Sequence, residues 1–121
     1  MMLDWNEYQK QIGKSLVELK KLSPDTVRGY MTLSAANSST TNLNEKVRQL
    51  ISLAVAVTTR CHGWIVIHTG AALKAGATRE EISETLAVAV AMNAGAALVY
   101  STRVLDAVAV KNAPGGSPSA E

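Results

Sequence analysis

The residues of this chain best suited to chemistry are Cys61 and His68, seven positions apart in the segment Cys61-His62-Gly63-Trp64-Ile65-Val66-Ile67-His68. Seven residues is about two turns of helix, so thiol and imidazole would share one face roughly 10 Å apart along the axis, with Trp64 between them. A thiol at a helix start with an imidazole on the same face is a nucleophile with a proton-transfer partner. A second thiol three residues on would complete a pair able to close a disulfide, but position 64 holds an indole, which cannot. The structural alternative makes Cys61 a small buried apolar residue and His68 a satisfied core or interface histidine. His62 points about 100° away from Cys61 on a helix, so these three residues are a poor metal site and no metal is expected.

Helices must position this pair. Asp4 caps a first helix from about Trp5 to Leu22, whose apolar residues Tyr8, Ile12, Leu16 and Leu19 recur at helical spacing. Ser23-Pro24-Asp25 restarts the chain in a second helix to about Ala36, and the polar stretch from Asn37 to Asn42 reads as a loop. Asn44 or Asn42 caps a third helix, apolar nearly all round from Leu50 to Val57, which predicts a central element covered on every side. That helix ends near Thr58 to Arg60, and Cys61 opens a fourth that runs to about Ala75, with Gly76 as its left-handed stop. Thr78 and Glu81 form a capping box for a fifth helix to about Met92. Asn93-Ala94-Gly95 breaks or kinks the chain before a sixth helix from Ala96 to about Val110. With no alternating strand, the fold class is all-α, a single-domain bundle of about six helices over residues 1–112, followed by a flexible tail at 113–121. Trp5, Tyr8 and Tyr30 read as packing residues, as does Tyr100, whose other reading brings it toward the site.

Composition narrows the function. The 121 residues are 47% hydrophobic, mostly Ala, Val and Leu with no Phe, as in helices packed closely through small side chains. A net charge of +2 from 12 basic and 10 acidic residues, without a block of like charge, argues against a nucleic-acid partner. A single Cys and an N-terminus without a secretion signal point to the cytoplasm. The run from Leu86 to Val99 is shorter than the roughly 20 residues that span a bilayer, so it reads as a buried helix pair and no membrane is expected. No phosphate-cradling Gly-rich loop, zinc helix or serine elbow is present, and no cofactor is expected.

Leu43 through Val104 resembles the carboxymuconolactone decarboxylase family and, within it, the alkylhydroperoxidase D-like proteins. The residues that carry the likeness are Asn44-Glu45-Lys46-Val47-Arg48-Gln49-Leu50-Ile51, Leu53-Ala54-Val55-Ala56, Arg60-Cys61-His62-Gly63-Trp64, His68, Ala75-Gly76-Ala77-Thr78 and Met92-Asn93-Ala94-Gly95. The resemblance implies a helical bundle, a homo-oligomer (trimer or hexamer) and peroxide reduction of the peroxiredoxin type by a cysteine pair. It also implies the pattern Glu, eleven residues, Cys-x-x-Cys, three residues, His. Against that pattern Cys61 and His68 match, whereas Gln49 stands at the carboxylate position and Trp64 at the second thiol. Gln49 cannot act as a base near neutral pH. Glu45, four residues earlier on the same face, either complements the helix dipole or replaces that carboxylate in part.

Three functions follow. The first is an antioxidant thiol peroxidase, weakened or lost, using Cys61 and His68 on a small peroxide, with an external thiol to reduce sulfenic acid. The second is a non-catalytic oligomeric scaffold or binding protein, which accounts for Gln49 and Trp64 together. The third is a lactone decarboxylase with His68 moving the proton and Arg48 or Arg60 recognising a carboxylate. The space around Trp64 discriminates: an open cavity joining Cys61 and His68 favours an enzyme, and an indole filling that space favours the scaffold.

Overall fold

The computed structural model describes residues 2–38 and 41–115. Among these the chain is all-α, with five helices: α1 (Trp5–Leu22), α2 (Pro24–Ser38), α3 (Glu45–Thr58), α4 (His62–Lys74) and α5 (Arg79–Asn112). The expected loop from Asn37 begins later, because α2 runs on through Ser38, and Ser39 and Thr40 lie outside the described residues, as does the tail from Gly116.

Local chemistry sets most boundaries. The Asp4 carboxylate accepts the Glu7 N–H at 3.1 Å, and Asn44 Oδ1 accepts the Val47 N–H at 2.9 Å, so each satisfies an orphan donor of a first turn. The capping box is complete: Thr78 Oγ1 accepts from Glu81 N at 3.0 Å, and Glu81 Oε2 accepts from Thr78 N at 2.8 Å. Lys46 Nζ adds a 2.9 Å ion pair to Glu81 Oε1, tying the start of α3 to the start of α5. The Thr78 backbone hydrogen bond, followed by Lys46, holds the Glu81 carboxyl below its usual range.

Two helix ends close in the same way with different residues. At the end of α4, Gly76 takes φ 89°, its N–H reaches Leu73 O at 3.0 Å, and Ala77 N reaches Ala72 O at 2.9 Å. At the end of α3, Arg60 takes φ 55°, its N–H reaches Val57 O at 3.2 Å, and Cys61 N reaches Ala56 O at 3.0 Å. Both are Schellman closures, but the second puts a side chain in the left-handed region that glycine adopts without strain. It fixes where Cys61 begins.

α3 and α4 form a helical hairpin, and α5 lies along α3. Leu53, Ala72 and Ala77 make the innermost cluster, with Leu50 and Ile82 packed against it. The other buried hydrophobics are Ala56 and Ala89, so this core is mostly alanine. α3 is not covered on every side as its sequence predicts, since Ile51 and Val55 are about half exposed.

The expected break at Asn93-Ala94-Gly95 does not occur, and the fifth and sixth helices are one. The Asn93 amide donates to Ala89 O at 2.7 Å within the helix and to Thr58 Oγ1 at 2.9 Å, so it pins α5 to the last residue of α3. Lys46 pairs with Glu81 and Thr58 with Asn93, both 35 positions apart, so α3 and α5 run parallel and in register. α3 ends there, and α5 continues roughly 28 Å further on its own. From Ala96 onward every described residue is exposed, Leu98, Val99 and Leu105 among them. The stretch from Leu86 to Val99, read as a buried helix pair, is therefore one helix, packed on α3 as far as Asn93 and exposed from Ala96 onward, and Tyr100 is neither core nor site: it is 69% exposed, with Arg103 over its ring. By length and composition α5 is long and apolar enough to cross a membrane, although its first half is packed on α3.

Candidate functional site

Cys61 sits one residue before α4 with extended backbone, and its side chain makes no capping bond. The thiol is free and half-buried at the helix N-terminus, where backbone N–H groups favour negative charge. It opens into a cavity of about 410 Å³ between α1 and α4, lined by Tyr8, Ile12, Arg60, His62 and Trp64 among others. α1 comes close here because Gly63 is buried without a side chain, and a Cβ on it would lie 2.9 Å from Ile12 Cδ1. His62 turns toward α1, edge-to-face with Trp5 at 6.0 Å and Tyr8 at 6.1 Å, and so takes no part with His68.

His68 faces different company. Its Nδ1 lies 2.6 Å from Gln49 Oε1, and Gln49 Nε2 donates to Glu45 Oε1 at 2.7 Å. Glu45 and Gln49 are one turn apart on α3, which explains their contact, and the hairpin delivers His68 to them. The three residues share a cavity of about 270 Å³ with Arg48 and, from α2, Ser34 and Asn37. Partial burial pushes the His68 pKa below its ordinary value, and the Glu45 carboxylate opposes that shift in part.

Trp64 stands between the two. Its ring centroid is 5.2 Å from the His68 ring, and its other contact is a stack on Tyr30 of α2 at 5.9 Å and 28°. It lines the Cys61 cavity and also an apolar groove of about 480 Å³ with Leu16, Val27 and Met31. Among the described residues no hydrogen bond joins Cys61 to His68. The two residues that the sequence pairs line separate cavities, and Trp64 lines the first and touches the His68 ring, while Gln49 is brought into direct contact with His68. Tyr30 was read as packing, and its role in holding Trp64 has no signal in the sequence because the contact spans separate helices. Among the described residues no group of three His, Cys, Asp or Glu is placed to hold a metal ion.

Comparison with known proteins places the chain. Residues 24–107 match the model of the carboxymuconolactone decarboxylase family. An uncharacterized protein of Haemophilus influenzae is 46% identical over 113 residues, covering 93% of this chain and all of that protein. An uncharacterized protein of Cupriavidus necator is 28% identical over 87% of this chain and 93% of its own length. Among solved structures, the apo form of a carboxymuconolactone decarboxylase family protein from Legionella pneumophila superposes with a TM-score of 0.69 at 35% identity, over 85% of this chain and 92% of that one. A five-helix chain with a Cys61-to-His68 helix, matched over more than half its length, belongs to the carboxymuconolactone decarboxylase family.

Proposed function

We propose that this protein is a one-cysteine thiol peroxidase of the peroxiredoxin type, acting on small hydroperoxides through Cys61. The observation that carries the reading is the free thiol at the N-terminus of α4, open to a 410 Å³ cavity beside Arg60. The Cys61 thiolate sulfur attacks one peroxide oxygen, the O–O bond breaks, and the leaving alkoxide or hydroxide takes a proton from water. Cys61 is then a sulfenic acid. Trp64 offers no second thiol, so an external thiol condenses with the sulfenic acid and releases water, and a second external thiol frees Cys61 as a disulfide leaves. This cycle needs a compartment rich in thiols, as the cytoplasm is. His68 is not in hydrogen-bond contact with Cys61, so turnover is expected to be slow. Stopped-flow peroxide consumption with excess dithiothreitol is expected for the wild type and lost in Cys61→Ser; equal rates would end the reading.

A second reading, a non-catalytic oligomeric scaffold, is favoured by one observation: no one cavity joins Cys61 and His68, and the Trp64 indole lines the Cys61 cavity and touches the His68 ring. The same stopped-flow comparison separates the two. Lactone decarboxylation has weaker support, namely Arg48 beside His68, and unchanged lactone at micromolar enzyme would dismiss it.

In either case we propose a homo-oligomer. The second half of α5 is exposed from Ala96 onward and carries Leu98, Val99, Val104 and Leu105, an apolar surface of the kind that subunit interfaces cover. A bilayer is a poorer cover, because Arg103 and Asp106 lie on that half and the first half is packed on α3. Sedimentation should show a trimer or hexamer for the wild type and smaller species for Leu98→Asp with Leu105→Asp; a monomeric wild type would contradict this.

A further inference from the structure

We propose that Glu45, Gln49 and His68 form a hydrogen-bonded relay in the α2–α3–α4 cavity that leaves His68 Nε2 as a proton acceptor, with the Glu45 carboxylate acting on the ring through the Gln49 amide. The inference goes beyond the peroxide reading and does not need Cys61 to react.

The hydrogen bonds fix their own direction. An ionised Glu45 carboxylate only accepts, so the group 2.7 Å from it must be the Gln49 NH₂. The amide oxygen then faces His68, and at 2.6 Å an oxygen tolerates only a protonated ring nitrogen. Nδ1 therefore carries the proton, and Nε2 is left with its lone pair. Among the described residues no protein group hydrogen-bonds Nε2. When Nε2 takes a proton, the cation that forms keeps its Nδ1–H on a carbonyl polarised from behind by a carboxylate. An orienting acid behind an imidazole does this in hydrolase triads, with no amide between. Here the amide carries the effect across the gap from position 45 to the ring, because Gln49 is both donor and acceptor.

The other groups facing this cavity do not compete for the role. α3 also supplies Arg48 and Ser52, and α2 supplies Ser34, Asn37 and Ser38, so the charged side chains lining it are Glu45 and Arg48. Trp64 covers the ring from α4 itself. Glu45 is a positioning residue: it touches Gln49, and acts on His68 through it.

Long-range ¹H–¹⁵N NMR of histidine-labelled protein reads both tautomer and titration of His68. The wild type should show a neutral imidazole protonated at Nδ1. Glu45→Gln keeps an acceptor for the Gln49 amide but removes the charge, so the tautomer should persist while the His68 pKa falls. Gln49→Leu should release the tautomer, moving the proton toward Nε2. Circular dichroism checks that each variant folds, and Gln49→Glu, with a carboxylate in direct contact, should raise the His68 pKa. A wild-type Nε2–H tautomer, or a His68 titration indifferent to Glu45→Gln in a folded protein, overturns the relay. Because no peroxide is used, these outcomes are independent of whether Cys61 turns over.

Discussion

The two sides of Trp64 are built on opposite principles. On one side Cys61, among the described residues, has no hydrogen-bonded side-chain partner, sits at a helix start and faces a cavity walled mostly by apolar and aromatic groups, with Arg60 among them. On the other, His68 is engaged by Gln49, and behind it by Glu45, in a cavity lined with amides, hydroxyls and charges. A nucleophile needs access, and a proton acceptor needs orientation. In this chain the thiol and the imidazole line different cavities, and Trp64 lines the first and touches the ring in the second. The difference teaches that two residues seven apart on one helix need not share surroundings: each takes its character from the helix packed against it, α1 for Cys61 and α3 for His68.

The strongest way to break the separation is to remove the indole. Trp64→Ala deletes the stack on Tyr30 and the contact with His68, and should destabilise the fold by about 2–3 kcal/mol, a little less than a fully buried Trp would. Denaturant titration measures it, and a loss near zero would mean that the indole is not wedged between the two sides. Trp64→Cys tests the same wall chemically. Placed three residues after Cys61, the new thiol should close a disulfide under mild oxidation, seen as the loss of two hydrogens by mass spectrometry.

A smaller effect is expected on the Cys61 side alone. Arg60 and Gly76 close their helices identically, but only Arg60 bears a Cβ at positive φ. Arg60→Gly should stabilise the protein by about 1 kcal/mol, and Gly76→Ala should destabilise it by about the same, since a left-handed L-residue costs roughly that much. Thermal or chemical unfolding of the two variants gives the signs. A destabilised Arg60→Gly would show that the arginine makes compensating contacts at the mouth of the Cys61 cavity.

The smallest effect lies on the His68 side and depends on pH. The folded pKa of His68 is depressed below its unfolded value, so the unfolded state binds the extra proton first. Its contribution to stability is present above about pH 6.5 and declines as pH falls through that value. Glu81, whose carboxyl is also depressed, adds a second decline at lower pH, below the ordinary carboxylate range. Denaturation midpoints across pH should show the first step in the wild type and not in His68→Gln. A midpoint that rises as pH falls through this range would reverse the sign and contradict the burial of His68.

Much of this fold is legible in the sequence wherever a boundary is written in local chemistry. Asp4, Asn44, Thr78 with Glu81, and Gly76 all do what their side chains, or the lack of one, dictate. Asn93-Ala94-Gly95 misleads because its cost is small. A helical glycine is worse than alanine by about 1 kcal/mol, and Asn93 recovers stability through a bond to Thr58 that only the parallel packing of α3 and α5 provides. Tyr100 misleads for a related reason: an apolar run favours a covered helix, and among the described residues no other helix reaches this half of α5. In the site, Cys61, His68 and the Trp64 between them stand out by spacing, Gln49 is reached only through the family resemblance, and the proximity of Glu45 to Gln49 follows from their helical spacing. Helical periodicity places His68 and Cys61 on one face but says nothing of what fills the space between them. That depends on Trp64 stacking against Tyr30, a contact between residues far apart in the chain.

The measurement that tests the central claim most directly is peroxide consumption, with excess dithiothreitol, by the wild type, Cys61→Ser and His68→Ala at equal protein concentration. If Cys61 is the nucleophile and Trp64 isolates it from His68, consumption vanishes in Cys61→Ser and changes by no more than about twofold in His68→Ala. Equal rates for wild type and Cys61→Ser would remove the nucleophile, and a His68→Ala variant as inactive as Cys61→Ser would show that the two sides work as one.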